Sequence, residues 1–263
     1  MKPDVDAPDA GRPLIEPGPA AGKPDSRGAA GRTATAPVAR RRREHRVNMR
    51  VYRSVRLAVG ALFKVCVGPR VSGRHNVPKA GPLLLVANHL TYLEPPLIGV
   101  VLPRRLTFLT LQEVFRVAWV GRFARAVGML PVAPSGPRTL DGVRLALQLL
   151  EQGEVVGIFP EGTRSLTPGL LRANPGVALL AARSGVPILP VAVTGTERLD
   201  SVAHFLFARP RGARVRVVIG EPFRPRVPTG KVDHQALADQ IMMELAKLLP
   251  PAYRGAYADV VAD

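Results

Sequence analysis

Two short stretches carry the residue types that move a proton and hold an anion. Asn88-His89-Leu90-Thr91-Tyr92-Leu93-Glu94 sets an imidazole five residues before a carboxylate, directly after the apolar run Leu83 to Ala87. A neutral imidazole can take a proton from a hydroxyl, and a neighbouring carboxylate can orient the ring and stabilise the imidazolium that forms. The four residues between them suffice for a turn that folds Glu94 back toward His89. Further along comes Phe159-Pro160-Glu161-Gly162-Thr163-Arg164-Ser165. There Gly162 lets the backbone approach a ligand closely, and Arg164 offers planar, paired donors that match phosphate. Each stretch has a plainer reading: His89 closing a strand with Glu94 capping a helix, and a polar turn with Arg164 in solvent.

Other chemistries find no support in the residues. The chain lacks a G-x-S-x-G nucleophile elbow, an H-E-x-x-H zinc pair and a Walker A loop. His45, His75, His204 and His234 stand in polar or loop-like contexts, which suits surface roles better than metal ligation. Cys66 is the single cysteine, so neither an internal disulfide framework nor a cysteine-based zinc site is expected.

The elements that must position these residues alternate. With 263 residues the chain can bury one sizeable core. Leu83–Ala87, Leu106–Leu111, Val155–Phe159, Val186–Val193 and Val215–Ile219 read as strands. Between and after them, helices are expected over Pro95–Leu102, residues 114 to 127, Thr139–Gln152, Pro175–Ser184 ended by Gly185, and Asp233–Leu249. This predicts an α/β fold with a mostly parallel central sheet flanked by helices. His89 and the Glu161–Arg164 turn each follow a strand, at the edge where such sheets bind ligands.

The termini read differently. Residues 1 to 39, rich in Pro, Ala, Gly and Asp without apolar periodicity, are expected to be a disordered tail. Their acidic, apolar-poor start is not that of a signal peptide. Residues 40 to 68 are expected to form a basic amphipathic helix. On a helical wheel Arg46, Arg50, Arg53 and Lys64 fall on one side, and Val47, Val51, Val55, Val59, Leu62 and Cys66 on the other. Its apolar run is too short to span a bilayer, which takes about 20 residues, so it suits an anionic membrane surface. The alternative is a helix docked on its own domain. The expected domain covers residues 69 to 255, with a C-terminal tail over 256 to 263.

The formal charge is +17. Eight arginines between residues 40 and 56 against Glu44 alone give +7 in that stretch. Such a balance favours polyanions. The remaining charge is spread thinly without aromatic interleaving, and no zinc-finger spacing, heptads or aromatic RNA-binding strand is present. No nucleic-acid partner is therefore expected.

At the two opening stretches the chain resembles the glycerolipid acyltransferase family, the group that includes the 1-acylglycerol-3-phosphate acyltransferases. Asn88-His89 through Glu94-Pro95 resembles its motif I, and Phe159 through Ser165 its motif III. Val71-Ser72-Gly73 through Asn76-Val77-Pro78 resembles the strand and turn before motif I. Val186-Pro187-Ile188-Leu189-Pro190-Val191 resembles motif IV. The resemblance covers roughly residues 50 to 255.

It implies that His89 deprotonates an acceptor hydroxyl, with Glu94 as orienting acid. Acyl-CoA or acyl carrier protein would supply the thioester as co-substrate, a lysophospholipid would be the acceptor, and no cofactor or metal would be needed. Asn88, Glu161, Gly162, Thr163, Arg164 and Pro190 would bind substrate. The implied location is peripheral or monotopic, on the cytoplasmic face of the cell membrane. Three residues depart from the family pattern. Asn174, with Arg172 adjacent, stands near the place where a lysine often follows motif III. Glu94 replaces the usual aspartate, and Pro134 stands where motif II has a phosphate-binding arginine, leaving Arg138, Arg122 or Arg125 to substitute. A different acceptor lipid therefore stays open. So does, on charge alone, a non-catalytic lipid- or nucleic-acid-binding role.

Overall fold

The computed structural model describes residues 49–111, 115–116, 118–132, 139–199 and 215–259. The expected tail over 1 to 39, the first residues of the basic segment, Pro134 and Arg138 lie outside them.

The sheet has seven strands: β1 (Arg70–Ser72), β2 (Leu83–Ala87), β3 (Leu106–Leu111), β4 (Leu130–Val132), β5 (Val155–Ile158), β6 (Ile188–Thr194) and β7 (Arg216–Ile219). Their order is β1-β7-β6-β2-β5-β3-β4. Only the β6–β7 pair runs antiparallel; the other pairs are parallel. The helices are α1 (Met49–Cys66), α2 (Glu94–Val101), α3 (Ala118–Ala126), α4 (Thr139–Glu151), α5 (Gly176–Ser184) and α6 (His234–Ala246). β1 falls where the resemblance implied a strand before motif I. β4 was not foreseen as a strand; with three residues it carries too little pattern to stand out.

All five residues of β2 are buried, which requires cover on both faces. Strand alternation divides them. Leu84 and Val86 join a core built with α4, α5 and α6. Leu83, Leu85 and Ala87 join one built with α2 and residues of α1 and α3. Local chemistry sets the helix ends. Pro95 and Pro96 occupy the first turn of α2, where a missing N–H does no harm. Asp233 caps α6 by accepting from the N–H groups of Gln235 and Ala236. Gly185 ends α5 at a positive φ of 59°.

α1 docks on its own domain. Tyr52 and Phe63 are buried, and Val55, Val59 and Cys66 are partly so. Arg56 donates to the carbonyls of Val100 and Leu102 at the end of α2. The inward face is in part the predicted apolar one: Val59 and Cys66 pack on the core beside Phe63. Val51 and Leu62 of the predicted side point outward together with Leu57 and Val65. Tyr52 and Phe63, outside the predicted set, are the buried residues of the helix. The docking face and the outward apolar stripe are separate faces of one helix.

The chain beyond residue 255 is not all tail. Tyr257 is buried in the core, accepts from the N–H of Ala173 and donates to Asp239. The packed domain therefore reaches at least Tyr257.

Candidate active site

The carboxyl ends of β2, β5 and β6 lie side by side, because β2 pairs with both neighbours in parallel. The residue two past the end of β2 is His89. The turn after β5 is Glu161–Arg164. Neighbouring strands thus bring both stretches to one edge, as their position after apolar runs suggested.

His89 and Glu94 meet. The Nδ1 atom of His89 lies 3.1 Å from Oε2 of Glu94. The Glu94 carboxylate is fully buried and is held by Thr91 alone on its other side: the Thr91 N–H donates to Oε2 at 2.7 Å, and the Thr91 hydroxyl to Oε1 at 3.0 Å. That hydroxyl also accepts from the N–H of Leu93. Thr91 thus holds the Glu94 carboxylate through both its N–H and its hydroxyl just before α2 begins. In the tautomer whose Nδ1–H donates to the Glu94 carboxylate, Nε2 of the neutral ring has the lone pair that can take a proton.

The imidazole is also held by its face. The His89 ring stacks on Phe159 at 4.0 Å between centroids and 16° between planes. Phe159 in turn stacks on Phe108 at 5.1 Å and 5°. The row exists because Gly157 faces Phe108 across the β3–β5 pair. A Cβ on Gly157 would sit 2.6 Å from the Phe108 ring.

Two residues expected to bind substrate turn inward. Glu161 is buried, and its two oxygens accept from the backbone N–H groups of His89 at 2.8 Å and Leu171 at 2.9 Å. The carbonyl of His89 accepts from the N–H of Ser165 at 2.8 Å. The Glu161–Ser165 segment therefore grips the His89 backbone from both sides. Burial pushes the Glu161 carboxyl up to about 7; the Leu171 and His89 N–H donors oppose this, and the nearby Glu94 charge adds to it. Asn88 is likewise buried. Its amide donates to the Val193 carbonyl at 2.7 Å and accepts from the Val193 N–H at 2.8 Å. It pins the end of β2 to β6. Both are positioning residues, and a polar residue's type does not reveal whether it faces a ligand or a backbone.

Pro190 also stays away from the edge. It is buried within β6, opposite Val86, and its ring lies near Gly220 on the side of Leu248. By contrast Gly162, at a φ of 72°, and Thr163 are exposed at the strand ends. Arg164 is half-buried, with its Cζ 3.9 Å from the centroid of the Tyr92 ring. Of the proposed substitutes for the motif II arginine, Arg122 is exposed, and Arg125 lies over the Phe115 ring at 5.3 Å. Arg125 is in the last turn of α3, which leads to the start of β4 and hence to the opposite edge of the sheet.

The residues that sequence reading passed over are Thr91, Tyr92 and the ring pair Phe108–Phe159. Thr91 had a signal, since Thr91-x-x-Glu94 before an apolar run is a capping-box pattern. The ring stack had none, because it joins two strands through a glycine. Among the described residues no group of three or more His, Cys, Asp or Glu side chains is placed to hold a metal. His75 and His234 are exposed.

Fold and site define an α/β protein with a histidine–carboxylate pair at the carboxyl edge of a mostly parallel sheet and a guanidinium beyond the adjacent strand. Known proteins are similar to this chain. The acyltransferase family model matches residues 68–194. A 1-acyl-sn-glycerol-3-phosphate acyltransferase of Bacillus subtilis is 26% identical over 173 residues, 65% of this chain and 82% of its own length. The alpha form of 1-acyl-sn-glycerol-3-phosphate acyltransferase from Mus musculus is 30% identical over 203 residues, 74% of this chain and 67% of its own. The crystal structure of the 1-acyl-sn-glycerophosphate acyltransferase PlsC from Thermotoga maritima shares the fold, with a TM-score of 0.60 at 24% identity over 75% of this chain and 78% of that one. The chain belongs to the glycerolipid acyltransferase family and is an acyltransferase, which removes the non-catalytic alternative.

Proposed function

We propose that the protein acylates the free hydroxyl of 1-acylglycerol 3-phosphate at a membrane surface, giving phosphatidic acid for phospholipid synthesis. The donor is a fatty acyl thioester of coenzyme A or acyl carrier protein. Nε2 of His89 takes the hydroxyl proton while Glu94 stabilises the imidazolium through Nδ1. The acceptor oxygen bonds to the thioester carbonyl carbon, the tetrahedral intermediate collapses, the C–S bond breaks, and the thiol leaves with the proton from His89. No acyl-enzyme forms on this route. Arg164 contacts the acceptor phosphate. No cofactor or metal takes part.

The observation that carries this reading is the fixed His89–Glu94 pair at 3.1 Å, gripped at its backbone by the same segment that carries Arg164. The names of the relatives supply the acceptor. The outward apolar residues of α1 support a surface-bound enzyme, and the cytoplasmic face follows from where the acyl thioesters are made. No helix among the described residues is long and apolar enough to cross a membrane. A second reading, the same chemistry on another acceptor lipid, is favoured by one fact: among the described motif residues expected to bind substrate, Arg164 is the one cation, which leaves phosphate recognition thin.

The test is His89→Ala, assayed by thioester consumption with both donors across a panel of lysophospholipid acceptors. Turnover is expected to fall by about a thousandfold, within the usual worth of a general base, while the thermal midpoint stays near that of the wild type. Near-normal turnover would sink the mechanism. An acceptor preferred over 1-acylglycerol 3-phosphate would select the second reading.

A further inference from the structure

Tyr92 is the outlier of its loop. Leu90, Thr91 and Glu94 on either side are buried, whereas Tyr92 is 65% exposed. An aromatic ring left in solvent there adds nothing to a core. Its contact is with Arg164, whose Cζ rests 3.9 Å from the ring centroid. The contact links the loop after β2 to the turn after β5, across the edge where His89 sits.

We propose that Tyr92 is a positioning residue that holds the Arg164 guanidinium at the acceptor's phosphate and so sets the preference for phosphorylated over neutral acceptors. This rests on the reading of Arg164 as the phosphate contact. A guanidinium lying on a ring face is attracted by the ring's quadrupole. Its N–H donors point outward in its own plane, so a face-on contact leaves them available to phosphate oxygens. An arginine chain is long and rich in rotamers, and a ring beneath it removes alternatives before the ligand arrives. No carboxylate is within ion-pair distance of Arg164 among the described residues, so the ring supplies what an acid would otherwise supply without neutralising the charge. The motif types alone do not contain this role, because it belongs to a side chain inside motif I acting on one in motif III.

The full-length protein is assayed in mixed micelles with 1-acylglycerol 3-phosphate and with a neutral monoacylglycerol, using Tyr92→Leu, Tyr92→Phe, Arg164→Ala and the Tyr92→Leu/Arg164→Ala pair. Tyr92→Leu is expected to raise KM for the phosphorylated acceptor about two- to fivefold, the size of an exposed cation–π contact, with kcat little changed. Tyr92→Phe, which keeps the ring, should stay within about twofold of the wild type. KM for the neutral acceptor should not move, and Tyr92→Leu should add nothing once Arg164 is gone. An unchanged KM in Tyr92→Leu, a fall in kcat alone, an equal effect on the neutral acceptor, or additivity with Arg164→Ala would each overturn the inference. Should Arg164→Ala itself leave KM unchanged, the phosphate reading of Arg164 fails and the inference with it. A raised KM in Arg164→Ala beside an unchanged one in Tyr92→Leu overturns the positioning role alone.

Discussion

Single residues at this site work mostly by holding one another. Glu94 shows why a glutamate serves where the family pattern has aspartate. Its longer chain reaches Nδ1 of His89 while both oxygens still meet Thr91. Glu161 is the sharper case, because its two backbone contacts favour the anion while its burial favours the acid. Burial wins, and its pKa is pushed to about 7 from 4.5. A carboxyl that binds its proton more tightly when folded stabilises the fold most below the unfolded pKa, and that contribution drains away as pH rises from about 4.5 to about 7. The full swing is on the order of 3 kcal/mol. In Glu161→Gln the swing is absent, and the amide N–H₂ faces the N–H of His89 or Leu171, so one clamp contact is lost. The variant should be less stable and less active than the wild type at every pH. Its deficit in thermal midpoint should be larger at pH 5 than at pH 8. A deficit that grows with pH would show that Glu161 is held ionised throughout.

Elements were legible where the pattern was long and faced one way. The apolar run of β2, the proline-started α2 and the period of α4 fell where the sequence placed them, within a residue or two. Of the three-residue strands, β1 was legible only through the family resemblance and β4 did not show. The apolar side of α1 divides: Val59 and Cys66 pack inward with the aromatic Phe63, while Val51 and Leu62 face out, and Tyr52 is buried although it is not aliphatic. At the site, the sequence showed which residues gather at the edge and not which way they point. Asn88 and Glu161 bond backbone groups of Val193, His89 and Leu171 that are distant in the chain, and no local spacing records that. The β3–β5 pair depends on one such long-range fit. Its bare Gly157 makes room for the ring row that ends at His89. Gly157→Ala places a methyl inside contact distance of Phe108. Overpacking of this kind costs about 1–3 kcal/mol, a drop in midpoint on the order of 3–10 °C for a domain of this size. Turnover should fall too, since Phe108 can move only against Phe159. Adding Phe108→Leu should recover part of the stability. Wild-type stability in Gly157→Ala would mean that the rings were never packed on that glycine.

Over the whole molecule two features support the proposed contact with a lipid surface, the charge of +17 and the outward apolar residues of α1. Leu57 and Val65 are 75% and 70% exposed, Leu62 is 42% exposed, and Arg53 and Lys64 stand beside them, also exposed. Because Tyr52 and Phe63 already anchor the helix from the other side, these side chains are not needed to hold α1 to its domain. They can enter the interfacial layer while the arginines and lysines meet anionic headgroups. The triple variant Leu57→Ser/Leu62→Ser/Val65→Ser should therefore fold with a midpoint close to that of the wild type. Its affinity for vesicles carrying an anionic lipid should fall at least tenfold, since each fully buried aliphatic side chain is worth about 1.5–3 kcal/mol and partial insertion retains a share of that. Raising salt toward 1 M, where the Debye length shrinks to about 3 Å, should weaken wild-type binding without abolishing it, because the apolar part is unscreened. Turnover of detergent-dispersed substrate should be retained in the triple variant while turnover of vesicle-borne substrate falls. Vesicle affinity equal to that of the wild type would place the membrane contact elsewhere on the molecule.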